Sequence, residues 1–256
     1  MELNHNRFKK ILSFLIFAGS FLLIISCTKE KERYRSPSNN LTSDSTINSN
    51  TLDTSMKSYL ALGDSYTVGQ SVQKDESFPA QLVQMLRSRN LNVTDPEIVA
   101  VTGWTTQDLL NSLLTNPPKL QPYSFVTLLI GVNNQYQGRS LDEYKTQFTQ
   151  LLNLAISYAG NKKNHVFVLS IPDYSVTPFA MGSYTQITAM QIDQFNEANK
   201  TISSLFEGVH YLDITPISRI AKNDPSLIAG DGLHPSGKQY SQWDVLLTSL
   251  IINEFH

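Results

Sequence analysis

The sequence predicts an α/β domain in which a parallel sheet carries helices on both faces. Short apolar runs alternate with stretches of helical periodicity five times between residues 58 and 256. Several of the runs are unbroken, Phe125 to Ile130 above all, as strands buried on both faces are. Each run that borders the expected crevice ends in a turn bearing glycine or a polar residue.

The runs, in order, are Tyr59–Leu62, Pro96–Val101, Ser124–Ile130, His165–Ile171 and Val209–Ile214. Between them, Phe78 to Arg89 places Phe78, Leu82, Met85 and Leu86 on one helical face. Thr105 or Thr106 is suited to cap a helix through Leu114, which Asn116-Pro117-Pro118 ends. Ser140 to Glu143 fits a capping box. The helix after it spaces Leu141, Tyr144, Phe148, Leu151, Leu152 and Ala155, and Gly160 stops it. A helix from about Gln191 to Phe206 is expected to bury Ile192, Phe195, Ile202 and Leu205. The last helix is expected to bury Tyr240, Trp243, Leu247, Leu250 and Ile251. Residues 172–190 read as irregular. No internal repeat and no second boundary is visible after residue 58.

Composition is that of an ordinary globular protein: 256 residues, 41% hydrophobic, 16% charged, net charge −2. Without a basic block, nothing points to nucleic acid. The N-terminal segment reads as a leader. Arg7, Lys9 and Lys10 precede an apolar run from Ile11 to Ile25, shorter than the roughly 20 residues of a membrane span. The run ends in Ser26-Cys27, which resembles a bacterial lipoprotein cleavage box. That resemblance implies removal of residues 1–26, lipid attachment at Cys27, and a place on the bacterial envelope, on its periplasmic or surface face. Cys27 is the only cysteine, so neither an internal disulfide nor a cysteine nucleophile in the domain is available. Residues 28–57 are rich in Ser, Thr, Asn, Lys and Glu without a period, as a tether is; as a flexible coil they would span roughly 30 Å.

The chemistry gathers at the strand ends. In open parallel sheets, ligands bind beyond the carboxyl ends of the strands. Ser65 follows the first strand in Gly63-Asp64-Ser65; Gly103 follows the second; Asn133 follows the third; Asp231 and His234 precede the last helix. Taken alone, Ser65 reads as a helix cap slightly more readily than as a nucleophile. A phosphate loop is a poor match, since Gly69 is followed by Gln70 and no Lys is in place. The other four residues reverse the order. A serine hydroxyl needs a base, His can take and return its proton, and a carboxylate can hold the imidazole in one tautomer. Glycine N–H groups and an Asn amide suit a developing oxyanion.

Together, Gly63-Asp64-Ser65, Gly103, Gly131-Val132-Asn133 and Asp231-Gly232-Leu233-His234 resemble the motif blocks of the SGNH hydrolase superfamily, the GDSL-type esterases, over essentially all of residues 58–256. The resemblance implies a flavodoxin-like three-layer α/β/α fold with a five-stranded parallel sheet, and ester hydrolysis with no cofactor or metal. It implies Ser65 as nucleophile, His234 as base, Asp231 as its partner, and Ser65, Gly103 and Asn133 as oxyanion donors. Expected substrates are small-molecule or glycan esters, O-acetylated carbohydrate among them. Lysophospholipase or thioesterase activity is the enzymatic alternative. A non-catalytic binding lipoprotein and a flavin binder are alternatives of other classes.

Two residues depart from the family pattern: Tyr66 stands where Leu is usual, and Asn134 where Asp is usual; both bear on substrate fit. The Gly-x-Ser-x-Gly elbow of α/β-hydrolases is absent. His165 and His210 read as structural, and no histidine pair has metal-ligand spacing. Trp104 reads equally as pocket wall or packing aromatic. Tyr174, Phe179, Met181 and Tyr184 suggest either a lid over the site or a loop packed at the sheet edge.

Overall fold

The computed structural model describes residues 55–180, 182 and 185–255. The leader, Cys27, most of the tether, Met181 and Tyr184 lie outside the described residues.

The sheet is parallel throughout, in the order β2-β1-β3-β4-β5, with β1 at Tyr59–Gly63, β2 at Glu97–Ala100, β3 at Phe125–Leu129, β4 at Val166–Leu169 and β5 at His210–Leu212. This is the flavodoxin-like order. β1, β3 and β4 are buried at every residue, whereas the edge strands β2 and β5 are half-buried. That contrast explains the unbroken apolar runs: a central strand faces helices on both sides and has no solvent side to mark with polar residues.

Helix α1 (Ser65–Val68) opens directly from β1. Helix α2 (Phe78–Ser88) leads to β2, α3 (Thr106–Thr115) to β3, α4 (Val132–Tyr136) and α5 (Leu141–Tyr158) to β4, and α6 (Thr185–Ser204) to β5; α7 (Thr215–Ile220) and α8 (Gly237–Phe255) follow. α2 packs on α8, while α3, α5 and α6 pack together. The first pair is centred on Phe78, Tyr240 and Trp243, with Tyr240 and Trp243 edge-to-face at 5.0 Å. Tyr144, stacked near Phe148 and Phe195 at 5.5 and 4.7 Å, anchors the second group. The capping expectation holds in full at Thr105 and in half at Ser140, where the Glu143 carboxylate takes the Gln147 amide and does not reach back. Thr105 Oγ1 accepts from the Asp108 N–H while Asp108 reaches back to the Thr105 N–H, and Ser140 accepts from the Glu143 N–H.

Some expectations are corrected. Helix α6 begins at Thr185, within the segment read as irregular, and the rest of that segment holds two 3-10 turns, Tyr174–Val176 and Pro178–Ala180. Ile187 and Met190 in its first two turns lie off the stripe that Ile192, Phe195 and Ile202 bury and are 51% and 57% exposed, so they do not extend that stripe. Leu205, expected inside, is 76% exposed, because α6 ends at Ser204 and the chain leaves the helical register there. Leu250 is only half-buried. α1, α4 and α7 have six residues or fewer, too short for periodicity to announce them.

Candidate active site

β1 pairs with β2 on one side and β3 on the other. The chain passes from β1 outward to β2 and then returns to β3, so strand order reverses between β1 and β3. The crevice at such a switch point is where doubly wound sheets hold ligands. Ser65 emerges from β1 at this crevice, and Asn133 from β3.

Ser65 is the first residue of α1, but the cap is supplied by its neighbour. Asp64 Oδ1 accepts the Tyr66 N–H at 3.0 Å. The Ser65 hydroxyl is therefore not used in capping, and it donates to His234 Nε2 at 3.0 Å. Asp64 is buried, and among the described residues no full hydrogen bond reaches its Oδ2. Burial pushes its pKa up to about 7, against the pull of the Tyr66, Gly131 and Asp64 N–H groups.

His234 Nδ1 donates to Asp231 Oδ2 at 2.6 Å. Asp231 also shapes the turn it stands on: Oδ1 accepts the Leu233 and His234 N–H groups at 2.9 and 3.0 Å. That local bonding is the habit of an Asp before a glycine turn. Ala229 N–H donates to the His234 carbonyl, closing the loop, and Phe179 N–H donates to the Gly232 carbonyl. Burial works to raise the Asp231 pKa, but the His234 ring, the two backbone N–H groups and the Ser71 hydroxyl hold it well below the usual carboxylate range. Asp231 is thus a stable anion beside an imidazole already fixed in the tautomer that presents a bare Nε2 to Ser65.

Gly103 adopts φ +87°, a left-handed conformation that turns the chain sharply after β2. It lines the same pocket as Ser65, His234 and Asn133. Asn133 Nδ2 donates to the Trp104 carbonyl at 2.9 Å, which fixes the plane of its amide. All five residues singled out in the domain therefore meet at one pocket or on its relay. Cys27 lies outside the described residues.

The pocket has a volume of about 150 Å³. Its apolar wall is Tyr66, Val132, Tyr136, Tyr174, Phe179 and Leu233. Tyr136, Tyr174 and Phe179 form a ring cluster with centroids 6.1 to 6.4 Å apart. Tyr174 is held by its hydroxyl, which donates to Gln135 Oε1 at 2.9 Å. Arg219 binds Asp173 at 2.8 Å and Asp193 at 2.7 Å, tying the segment to α7 and α6. In this structure Tyr174 and Phe179 of the segment form part of the pocket wall.

The readings of five further residues resolve. Trp104 does not line the pocket; it packs against the core and lends its carbonyl to Asn133. Tyr66 does line it, and presents its ring edge-on to His234 at 5.6 Å. Asn134 does not: fully buried, it accepts the Thr106 N–H and donates to the Thr106 hydroxyl, pinning the start of α3. Its departure from the family pattern is therefore structural. His210 stacks on Phe167 and pairs with Glu254, and His165 packs on Phe255, both away from the pocket. Two contributors went unread. Tyr136 lies three residues beyond Asn133, where an aromatic beside a site block was a usable signal. Ser71, which donates to Asp231 Oδ2 at 2.7 Å, carried no signal at all.

The comparisons with known proteins agree with this architecture. The model of the GDSL-like lipase/acylhydrolase family matches residues 61–241. The chain belongs to that family. It is a carboxylic ester hydrolase of the GDSL, or SGNH, type. Among solved structures, the psychrotrophic esterase EstA from a Pseudoalteromonas species is 17% identical, with 77% of this chain and 97% of that one covered and a TM-score of 0.56. The lipase Lip_vut3 from a goat rumen metagenome is 19% identical, covering 76% and 97%, with a TM-score of 0.61. Axe2, an acetylxylan esterase from Geobacillus stearothermophilus, is 18% identical, covering 78% and 94%, with a TM-score of 0.54. At these identities the likeness is one of fold. No curated protein matches the chain.

Proposed function

We propose that this GDSL-family hydrolase cleaves short-chain carboxylic esters through Ser65, His234 and Asp231. The observation that carries the proposal is the unbroken relay from Asp231 to His234 at 2.6 Å and from His234 to Ser65 at 3.0 Å, opening on one apolar-walled pocket. Ser65 Oγ attacks the ester carbonyl carbon as its proton passes to His234 Nε2. Asp231 stays ionised and stabilises the imidazolium. The carbonyl oxygen, now an anion, takes hydrogen bonds from the Ser65 and Gly103 N–H groups and the Asn133 amide. The tetrahedral intermediate collapses, the alkoxide leaves with the proton from His234, and an acyl-Ser65 ester remains. Water then repeats the sequence: His234 takes its proton, hydroxide adds to the acyl carbon, and Ser65 leaves with the proton as the free acid departs.

The pocket supports a short acyl group. An apolar cavity of roughly 150 Å³ holds a guest about the size of benzene. A long acyl chain would have to run beyond its apolar wall, so the pocket favours esters such as O-acetylated carbohydrate over lysophospholipid. Axe2, an acetylxylan esterase, has the same fold.

Ser65→Ala is expected to keep the fold and lose nearly all turnover of p-nitrophenyl acetate, and a serine-directed phosphonate is expected to label Ser65 in the wild type. Full activity in Ser65→Ala, with labelling elsewhere, would overturn the assignment. Among p-nitrophenyl esters from acetyl to palmitoyl, kcat/KM is expected to be highest at the short end; a palmitoyl optimum would refute the short-acyl reading. The basic residues, apolar run and Cys27 support attachment to the bacterial envelope through a lipid. Cys27→Ser is expected to move the protein from the membrane to the soluble fraction, and wild type found soluble and unlipidated would sink this part.

A further inference from the structure

The carboxylate that orients His234 has a partner from the opposite end of the domain. Ser71 Oγ donates to Asp231 Oδ2 at 2.7 Å, the same oxygen that accepts the His234 ring N–H. The two residues are 160 positions apart in the chain. Ser71 reaches this place by an unusual backbone. Its φ is +66°, in the left-handed region that residues with a side chain seldom occupy. Val72 N–H donates to the Gly69 carbonyl and closes a tight turn around Gln70 and Ser71. The Thr102 hydroxyl donates to Gln70 Oε1 at 2.8 Å, fastening that turn to the loop that carries Gly103.

A left-handed position in a turn is the natural place for glycine or asparagine. Serine there retains a conformational cost that glycine would remove. What serine alone supplies at this turn is the hydroxyl bound to Asp231. Backbone strain held at a functional group is a reason to look for what the group does.

We propose that Ser71 is a positioning residue of the hydrolase, acting through Asp231 to fix the carboxylate and, through it, the His234 ring. Asp231 Oδ1 is held by two backbone N–H groups of its own turn. Oδ2 bears the bond to His234, and on an exposed residue that oxygen is open to rotation and to water. The Ser71 hydroxyl is the contact from outside the turn that fixes it. With Ser71, the relay runs Ser71–Asp231–His234–Ser65, and its two serines flank the first turn after β1. The proposal rests on the assignment of Ser65, His234 and Asp231 above.

The experiment compares Ser71→Gly and Ser71→Ala with the wild type. Glycine removes the hydroxyl and relieves the backbone; alanine removes the hydroxyl and keeps the strain. A positioning role predicts the same fall in kcat for both, about five- to tenfold for loss of one partly exposed hydrogen bond to a charged group. KM stays near the wild-type value, because the ester does not touch Ser71. The second-order rate of Ser65 phosphonylation falls by the same factor. Ser71→Gly melts at or above the wild-type temperature. If Ser71 serves only the turn, Ser71→Gly keeps the wild-type kcat and phosphonylation rate, and the proposal is overturned. Failure of the triad assignment itself reads differently: wild-type Ser65 would not be phosphonylated at all.

Discussion

The Asn133 carboxamide has two N–H bonds, and one is committed to the Trp104 carbonyl at 2.9 Å. That bond sets the amide plane before substrate arrives, which is what a preorganised oxyanion donor requires. Asn133→Ala is expected to lower kcat by roughly 10²–10³, equivalent to about 2.7–4 kcal/mol, with little change in KM. Were the amide only a clamp on the Gly103–Trp104 loop, the variant would melt earlier and retain most of its kcat; measuring both quantities separates the roles. At this scale the sequence was informative where a residue type has one chemical use. Asp231 and His234 across a glycine turn could be paired from spacing alone. Ser65 was ambiguous because serine both caps and attacks; in the structure Asp64 takes the cap and the Ser65 hydroxyl turns to His234. Ser71 was illegible because its partner comes from a loop 160 residues away.

The β3–α4 junction shows how an element aims a side chain. Gly131 caps α4 at φ +133°, and a Cβ built there would lie 2.6 Å from Tyr144 Cε2 and 2.8 Å from Ile171 Cδ1. The glycine lets the chain turn against the α5 face and start α4 with Asn133 in the pocket wall. Gly131→Ala combines a disfavoured backbone with overpacking, each costing about 1–3 kcal/mol. It is expected to lower the melting temperature by several degrees and to reduce kcat as α4 shifts; a variant with wild-type Tm and kcat would show that the junction tolerates a side chain. Strands and long helices were legible because burial on two faces and a 3.6-residue stripe leave marks in the sequence. The start of α6 and the whole of α4 were not, since the apolar residues of the first face solvent, off the buried stripe, and the second has five residues. The missing outline of α4 hid Tyr136, which completes the pocket wall beside Tyr174 and Phe179.

The molecule as a whole was predicted in its class, and its flavodoxin-like, five-stranded parallel form by resemblance and not by any local pattern; the strand order comes from the structure. What no pattern foretold is the buried acid on α8. Asp244 is fully buried with neither carboxylate oxygen partnered among the described residues, and burial pushes its pKa well above the usual value. Below about pH 4 the group is protonated folded or unfolded and does not affect the balance. As pH rises beyond that, the unfolded chain releases the proton while the folded one keeps it, so stability falls until the folded pKa is passed. Asp64, also raised, adds the same sign up to about pH 7. Asp244→Asn is expected to be more stable than the wild type at pH 8, with the advantage shrinking toward pH 4; thermal melts at a series of pH values check it, and a pH-independent difference would refute it. The geometry of the relay also bears on kinetics. Ser65 and His234 are 169 residues apart in the chain, and the loop that carries His234 leads into α8, which packs on α2. Closing so long a loop carries an entropic penalty that local helices escape. During refolding, helical circular dichroism should therefore recover ahead of ester turnover, which makes hydrolysis a clock for the last tertiary step: a chain with its helices formed but its two ends not yet joined is a folded-looking protein with no catalyst in it.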